Sequence, residues 1–323
     1  MGGGRVLAVQ AATLVRARRV GGVNPMAVGV RRMTDDGWFA NCEPGDVDGA
    51  AAAVREGAAS EPADWPTRAV DAGFAPDEGA YYDALHEATV AAARAEAMER
   101  ERADDQQLVH AVRAMDDCAR TANELAERAA EWAGALFDAS GGGVDLAAEA
   151  ADRDPETPAE ERAVGLAQRV VELDAEAESL RAFIEQQAPS VAPNLASMAG
   201  PVLAARLVSL AGSLEALAKK PSGTVQVLGA EDALFAHLRG RASSPKHGVI
   251  YTHEYVRGTH PEHRGSAARA LAGKLSIGAR IDHYSGERKP EVAAELDERI
   301  ATIRARTGDE LPADAADDGG DGA

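Results

Sequence analysis

Between residues 108 and 136, small and apolar side chains recur at Leu108, Val112, Met115, Ala119, Ala122, Leu125, Ala129, Trp132 and Leu136. The intervals are mostly alternating fours and threes, the 3.5-residue repeat of a helix buried along one seam. A second seam runs through Leu166, Val170, Leu173, Ala177, Leu180 and Ile184. Gly141-Gly142-Gly143, followed by an acidic loop with Pro155 and Pro158, breaks the pattern between them. Helical character begins near Ala80, so residues 79–187 are predicted to form an antiparallel coiled-coil hairpin. Alanine along the seam lets the helices approach closely, which predicts a thin, rigid spacer. Leu108, Val112, Met115, Trp132, Leu136, Leu173 and Leu180 are its candidate contacts, either within the hairpin or with a second copy of the chain.

From Pro189 the pattern shortens. Helices are predicted over 191–198, 201–217, 230–238 and 264–284, with Gly200, Gly223, Gly229, Gly240, Gly248 and Gly265 near their ends. This reads as an all-α module. A last helix over 290–306 carries Val292, Leu296, Ile300 and Ile303, and an acidic tail follows it. On the N-terminal side, Trp38, Phe39, Trp65 and Phe74 sit among Pro and Gly turns, the pattern of a small domain with little core of its own. Residues 1–32 are Gly- and Arg-rich and acid-free. The acidic character of the body starts at Met33-Thr34-Asp35-Asp36, so the expectation is that natural translation begins at Met33 and that 1–32 is a disordered extension or a start-site error.

Charge changes the picture. The net charge is −19, yet residues 1–32 are +6, residues 33–191 carry 12 basic and 36 acidic side chains, and residues 192–290 carry 13 basic and 7 acidic. All five lysines (Lys219, Lys220, Lys246, Lys274, Lys289) and six of the eight histidines fall in that last block. An acidic, lysine-poor body suits solubility in very high salt. The basic block is the exception, and a polyanionic partner is its simplest reason; a locally basic domain without a ligand is the plain alternative. No run approaches 18 uninterrupted apolar residues, the length a membrane span needs. Two cysteines, Cys42 and Cys118, form no C-x-x-C pair and no disulfide framework, which fits a reducing, cytoplasmic setting.

Signatures of chemistry are missing. The sequence holds no G-x-x-x-x-G-K-[ST] loop and no G-x-G-x-x-G after a strand. His247, His253, His260 and His263 have neither cysteine partners nor a metalloprotease or zinc-finger spacing, so hydrogen-bonding or RNA-facing roles are expected of them, with no metal. Cys118 has no histidine one turn away to activate it. The expectation is a non-enzyme without cofactors.

One stretch is far more specific. It opens with Ala192-Pro193-Asn194-Leu195 and Gly200-Pro201-Val202-Leu203-Ala204-Ala205-Arg206-Leu207. It continues through Ala211-Gly212-Ser213-Leu214-Glu215, Val225-Gln226-Val227-Leu228-Gly229-Ala230-Glu231 and Pro245-Lys246-His247-Gly248-Val249-Ile250-Tyr251. It closes with Ala268-Arg269-Ala270-Leu271-Ala272-Gly273-Lys274-Leu275 and Ala279-Arg280-Ile281-Asp282. Nearly a hundred residues in order resemble a NOP domain, and the layout as a whole resembles the archaeal scaffold subunit of box C/D small ribonucleoproteins.

The resemblance implies a mainly α fold: a small α/β N-terminal domain at 33–78 that docks fibrillarin, the hairpin at 79–187, an all-α NOP module at 188–290, and a helix with acidic tail at 291–323. It implies a module that grips a box C/D guide RNA kink-turn together with the small kink-turn-binding protein seated on it, and a coiled coil that pairs two copies. Guide-directed ribose 2′-O-methylation would be performed by fibrillarin, this chain only positioning it. The residues implied at the RNA are Gly229, Ala230, Glu231, Arg239, Arg241, Lys246, His247, Arg264, Arg269 and Lys274. Arg264, Arg269, Lys274 and Arg280 recur at intervals near five and cannot share one helical face, so some of them are structural. Arg206 is expected to pair with Glu215. The chain departs from the family pattern where Asp232 and Ala236 hold usually basic places, in its short N-terminal domain, and in its acidic, not lysine-rich, tail. Two alternatives stay open: a splicing-factor type of NOP protein, and a coiled-coil adaptor that binds no RNA.

Overall fold

The computed structural model describes residues 36–57, 61–137 and 141–307. The expected extension at 1–32 and most of the acidic tail lie outside them. The chain divides into two compact units, residues 1–103 and 104–323.

The first unit holds α1 (Val47–Glu56), α2 (Trp65–Asp71) and α3 (Glu78–Glu101), and an aromatic cluster sits between α2, the start of α3 and the segments at residues 38–39 and 74–75. Phe39, Ala69, Ala75 and Tyr81 are buried there, with Trp38, Trp65 and Phe74 packed against them. Trp38 meets Phe74 edge-on at 5.2 Å and donates its indole N–H to the Tyr81 hydroxyl at 3.2 Å. Asp46 and Asp77 cap α1 and α3 by accepting from Gly49 N and Ala80 N. No strand occurs among the described residues of this unit, so strand content expected of the N-terminal domain is not found in them. Runs such as Ala50-Ala51-Ala52-Ala53 favour helix too strongly for a strand.

The second unit begins with α4 (Asp104–Phe137), α5 (Gly143–Ala151) and α6 (Pro158–Val191). Helices α4 and α6 run antiparallel: Leu108, Val112 and Met115 meet Ile184 and Ala188 at one end, while Ala122, Ala126, Ala129 and Ala133 meet Ala167 and Val170 further along. Thr157 and Glu160 close a capping box at the start of α6. The acidic stretch after the three glycines is not all loop. It forms α5, which buries Leu146, Ala147 and Ala150 against the hairpin because these residues share one helical face.

Beyond the hairpin come α7 (Pro193–Ala199), α8 (Pro201–Ala211), α9 (Leu214–Lys219), α10 (Ser222–Gln226), α11 (Glu231–Leu238), α12 (Glu254–Arg257), α13 (Arg264–Tyr284) and α14 (Pro290–Arg304). The helix predicted over 201–217 is broken. Gly212 takes φ +94°, a left-handed stop, and the Ser213 hydroxyl accepts from Ala216 N to start α9. Helix α13 runs through the core, burying Leu271 and Leu275 with Leu195, Leu207, Leu217, Ile250 and Leu296. The described residues are mainly α, and no single helix among them is long and apolar enough to cross a membrane.

One buried node ties the module together. The Asp282 carboxylate accepts from Asn194 N at 3.0 Å, Leu195 N at 2.9 Å and the Asn194 amide at 2.6 Å, so α13 caps the open end of α7. Asn194 in turn accepts from Lys289 N at 2.7 Å and donates to Glu287 O at 2.8 Å, fixing the approach to α14. Burial raises the Asp282 pKa and these hydrogen bonds pull it back. Asp282→Ala strands two buried N–H groups and removes one of the two acceptors of the Asn194 amide. It is expected to cost about 3 kcal/mol of stability, read as a lower urea midpoint by circular dichroism.

Candidate functional site

The site starts with two segments that pair without forming a strand. Gly248 N donates to Gln226 O and Val249 N to Leu228 O, both at 2.8 Å, while the Gln226 amide donates to Lys246 O at 2.7 Å. Gly248 is required by the close approach: a Cβ there would lie 2.1 Å from Leu228 O. Gly229, at φ +83°, turns the chain outward, and the Glu231 carboxylate accepts its N–H at 2.9 Å. Residues 230–245 are therefore an excursion whose two ends are held together.

That excursion carries α11, none of whose residues is buried. Phe235 and Leu238 are 55% and 70% exposed. The helix stops at Arg239 and Gly240 (φ +70°), with Arg241 N donating back to Ala236 O at 2.8 Å. This Schellman-type turn holds Arg239 and Arg241, both exposed, on either side of a left-handed glycine. The result is an apolar tip flanked by two cations.

At the foot of the excursion, His247 stacks on Tyr251 with ring centroids 4.5 Å apart, and the Arg264 guanidinium lies over the same Tyr251 ring at 5.5 Å. The exposed Lys246 side chain runs beside Gly265. Lys246, His247 and Arg264 thus converge, joined by Tyr251, which sequence reasoning left out of the candidate site although it lies inside the matched motif. Arg264 also donates to Thr259 O at 3.1 Å and Arg257 O at 3.3 Å, and so braces the loop before α13.

The other candidates separate. Arg269 is exposed and makes no hydrogen bond or ion pair among the described residues. Lys274 turns to Glu295 of α14 in an ion pair. Arg280 donates to Ala218 O at 3.2 Å, ending α9. Glu231 and Ala230 shape the turn into α11. Arg206 pairs with Asp116 of α4, while Glu215 takes Lys219, four residues on, so the expected Arg206–Glu215 pair does not form. Of the hairpin candidates, Leu108, Val112 and Met115 lie inside the hairpin's own packing. Trp132 is 39% exposed, and Leu136, Leu173 and Leu180 are half-buried. Among the described residues no three His, Cys, Asp or Glu side chains converge to hold a metal.

Two histidines of this region are held below their ordinary pKa. For His247 the cause is burial first, then the charges of Arg264 and Lys246; for His253 it is burial, only partly offset by Glu254. His253 Nδ1 accepts from Tyr255 N at 3.1 Å and caps α12, a role that requires that nitrogen unprotonated.

A helical hairpin fused to an all-α module, with a cationic and partly apolar excursion on an acidic protein, defines a macromolecule-binding class with no catalytic constellation among the described residues. Residues 103–304 match the family described as Nop, snoRNA binding domain, fibrillarin, and the chain belongs to that family. It is 45% identical over 141 residues to a NOP5 family protein of Methanocaldococcus jannaschii, covering 44% of this chain and 34% of that one. It is 42% identical over 125 residues to nucleolar protein 56 of Schizosaccharomyces pombe, covering 39% and 25%. The matches thus span about a third or less of these relatives' length. A solved fibrillarin/Nop5p complex aligns over 80% of this chain and 91% of that one at a TM-score of 0.46 and 24% identity.

Two outcomes follow for the site. Gly248→Ala drives a Cβ into the Leu228 carbonyl and is expected to cost about 2 kcal/mol, with faster amide exchange at residues 226–229 and 246–249. Because both histidines hold their lowered pKa only in the folded state, their contribution is intact above about pH 6.5 and is lost as pH falls through the lowered values. The thermal midpoint should drop below that pH, and less so in His253→Asn, which can cap without titrating there.

Proposed function

We propose that this chain is the non-catalytic scaffold of a box C/D guide ribonucleoprotein. Residues 188–290 would bind kink-turn RNA together with its small binding protein. The N-terminal domain at 33–78 would hold fibrillarin, whose guide-directed ribose 2′-O-methylation the chain positions without sharing the chemistry, in the cytoplasm. The observation that carries this reading is that the family match over 103–304 spans the hairpin and module bearing the exposed excursion. RNA distorted by a kink-turn is recognised through shape, backbone and splayed bases. Arg239, Arg241 and Lys246 suit phosphates, the His247–Tyr251–Arg264 column suits an exposed base, and Phe235 and Leu238 suit the protein on the RNA. Glu231 serves by holding the turn beneath them.

Of the remaining hairpin candidates, Leu173 and Leu180 pack partly against the hairpin's own core, which leaves Trp132, 39% exposed, and Leu136 as the proposed seat of a second copy. Leu108, Val112 and Met115 are spent within the chain's own hairpin. Net repulsion between two acidic hairpins is screened in concentrated salt, so such pairing would strengthen as salt rises.

The test is reconstitution with kink-turn RNA, its small binding protein and fibrillarin. Wild type should supershift the RNA–protein complex even in high salt. Replacing Arg239, Arg241 and Lys246 together by glutamate should weaken the supershift at least about tenfold, while fibrillarin remains bound and the thermal midpoint is unchanged. A triple variant that supershifts like wild type would favour the adaptor reading.

A further inference from the structure

We propose that the outward side of α13 is a track for single-stranded RNA that continues from the kink-turn site, with Tyr284 as a base-stacking platform at its far end; this rests on the RNA-binding reading above. The track begins where Lys246 lies over Gly265. From there Arg269, Ile277, Arg280 and Tyr284 follow at spacings of four, eight, three and four, which keeps them on one outward side of the helix. All four are exposed, while Leu271, Leu275 and Ala279 on the opposite side are buried.

Charge selects the occupant. In a chain of net −19, α13 carries Arg264, Arg269, Lys274 and Arg280, and its one acid, Asp282, is buried in the α7 cap. None of α13's own exposed residues is therefore acidic. Lys220 adds to the cations of the outward side, since Arg280 reaches the carbonyls of Ala218 and Lys220 and so holds the end of α9 alongside. Lys274, the cation that leaves this side, is the one neutralised by Glu295. From residue 265 to residue 284 the helix rises about 28 Å, room for several unpaired nucleotides.

Chemistry distinguishes a strand from a duplex here. Tyr284 is 65% exposed at the last residue of α13, and among the described residues the one aromatic ring it meets is His283, edge-on at 4.6 Å. An exposed ring beside guanidinium groups offers a face to any unstacked base, whatever its identity. A base inside a duplex has no free face to give. Ile277, 40% exposed between the two arginines, adds an apolar surface over which a ribose or base can lie. The same features would serve an acidic protein segment only through charge, with no need for the tyrosine ring.

The test uses the full chain with a minimal kink-turn RNA seated on its small binding protein. It is compared with the same RNA extended at the 5′ or the 3′ end by about eight unpaired nucleotides, within the span of known single-strand sites. One of the extensions should tighten binding to wild type at least about tenfold. Tyr284→Ala should abolish most of that gain and Tyr284→Phe should keep it, with all three proteins binding the minimal RNA equally. Equal binding of minimal and extended RNAs by wild type, or an extension gain that survives Tyr284→Ala, overturns the track. Loss of minimal kink-turn binding by wild type instead overturns the scaffold reading, while a Tyr284-dependent gain seen in that case still supports the track.

Discussion

One buried carboxylate fixes the frame on which the candidate site is built. A helix N-terminus has N–H groups with no partner in the helix, and left unmet in a core each would cost more than an ordinary hydrogen bond is worth. At α7 they are met by Asp282, which belongs to α13, 88 residues away in the chain. The same Asn194 whose N–H is capped also binds the segment that starts α14. Helix α13 therefore cannot rotate without stranding polar groups of α7, and α7 in turn fixes the start of α14 through Asn194. Because Lys246 lies against its first turn and Arg264 extends from it over Tyr251, the cationic foot of the excursion inherits that rigidity.

The excursion itself obeys the opposite rule. Its base is locked by Gly248 and Gly229, but α11 buries nothing, and an isolated helix of eight residues is marginal in water by itself. Its N-terminal turn is held through Glu231 and its C-terminal turn through Gly240. Local capping thus replaces tertiary packing as the support of this helix. With a fixed base and an exposed tip, the ordering left for any binding event is confined to a few side chains.

Much of this was legible in the residues. The two seams, the final helix and α13 follow from spacing alone, and the matched motif spans the paired segments. The hairpin, however, begins at Asp104 and not at residue 79, since the helix Glu78–Glu101 belongs to the first unit. The failures have physical causes. A strict 3.5 repeat extended along α4 puts Trp132 in the seam, but a nearly straight helix has 3.6 residues per turn and drifts away from that repeat. By the far end the buried stripe has moved to Ala126, Ala129 and Ala133, and Trp132 stands on the flank. Helix α5 was hidden because three glycines and a run of acids look like loop, although Leu146, Ala147 and Ala150 share a face. Among the cations, spacing showed that not all could face one way, but not which ones turn inward. That depends on Glu295 and the Thr259 carbonyl, partners distant or irregular in sequence. Likewise Arg206 found Asp116 across 90 residues and not its near neighbour Glu215.

That long-range pair belongs to a joint that decides how the hairpin can act. Val109 of α4 is buried in the module's core, Asp105 accepts from Leu214 N at 2.9 Å, and the Gln106 amide donates to Gly212 O at 3.0 Å. The first turns of α4 are thereby a constituent of the module and not a tether to it. Bending the hairpin at this point would expose Val109, uncap α9 and open the Arg206–Asp116 pair together, so the bending mode is stiff. A helix of 34 residues extends about 51 Å, and along its far part Ala122, Ala126, Ala129 and Ala133 pack closely on Ala167 and Val170. Anything seated on the hairpin is consequently held at a set distance and direction from anything seated on α11 and α13. Packing thus makes the hairpin a strut whose length keeps a constant separation from the module.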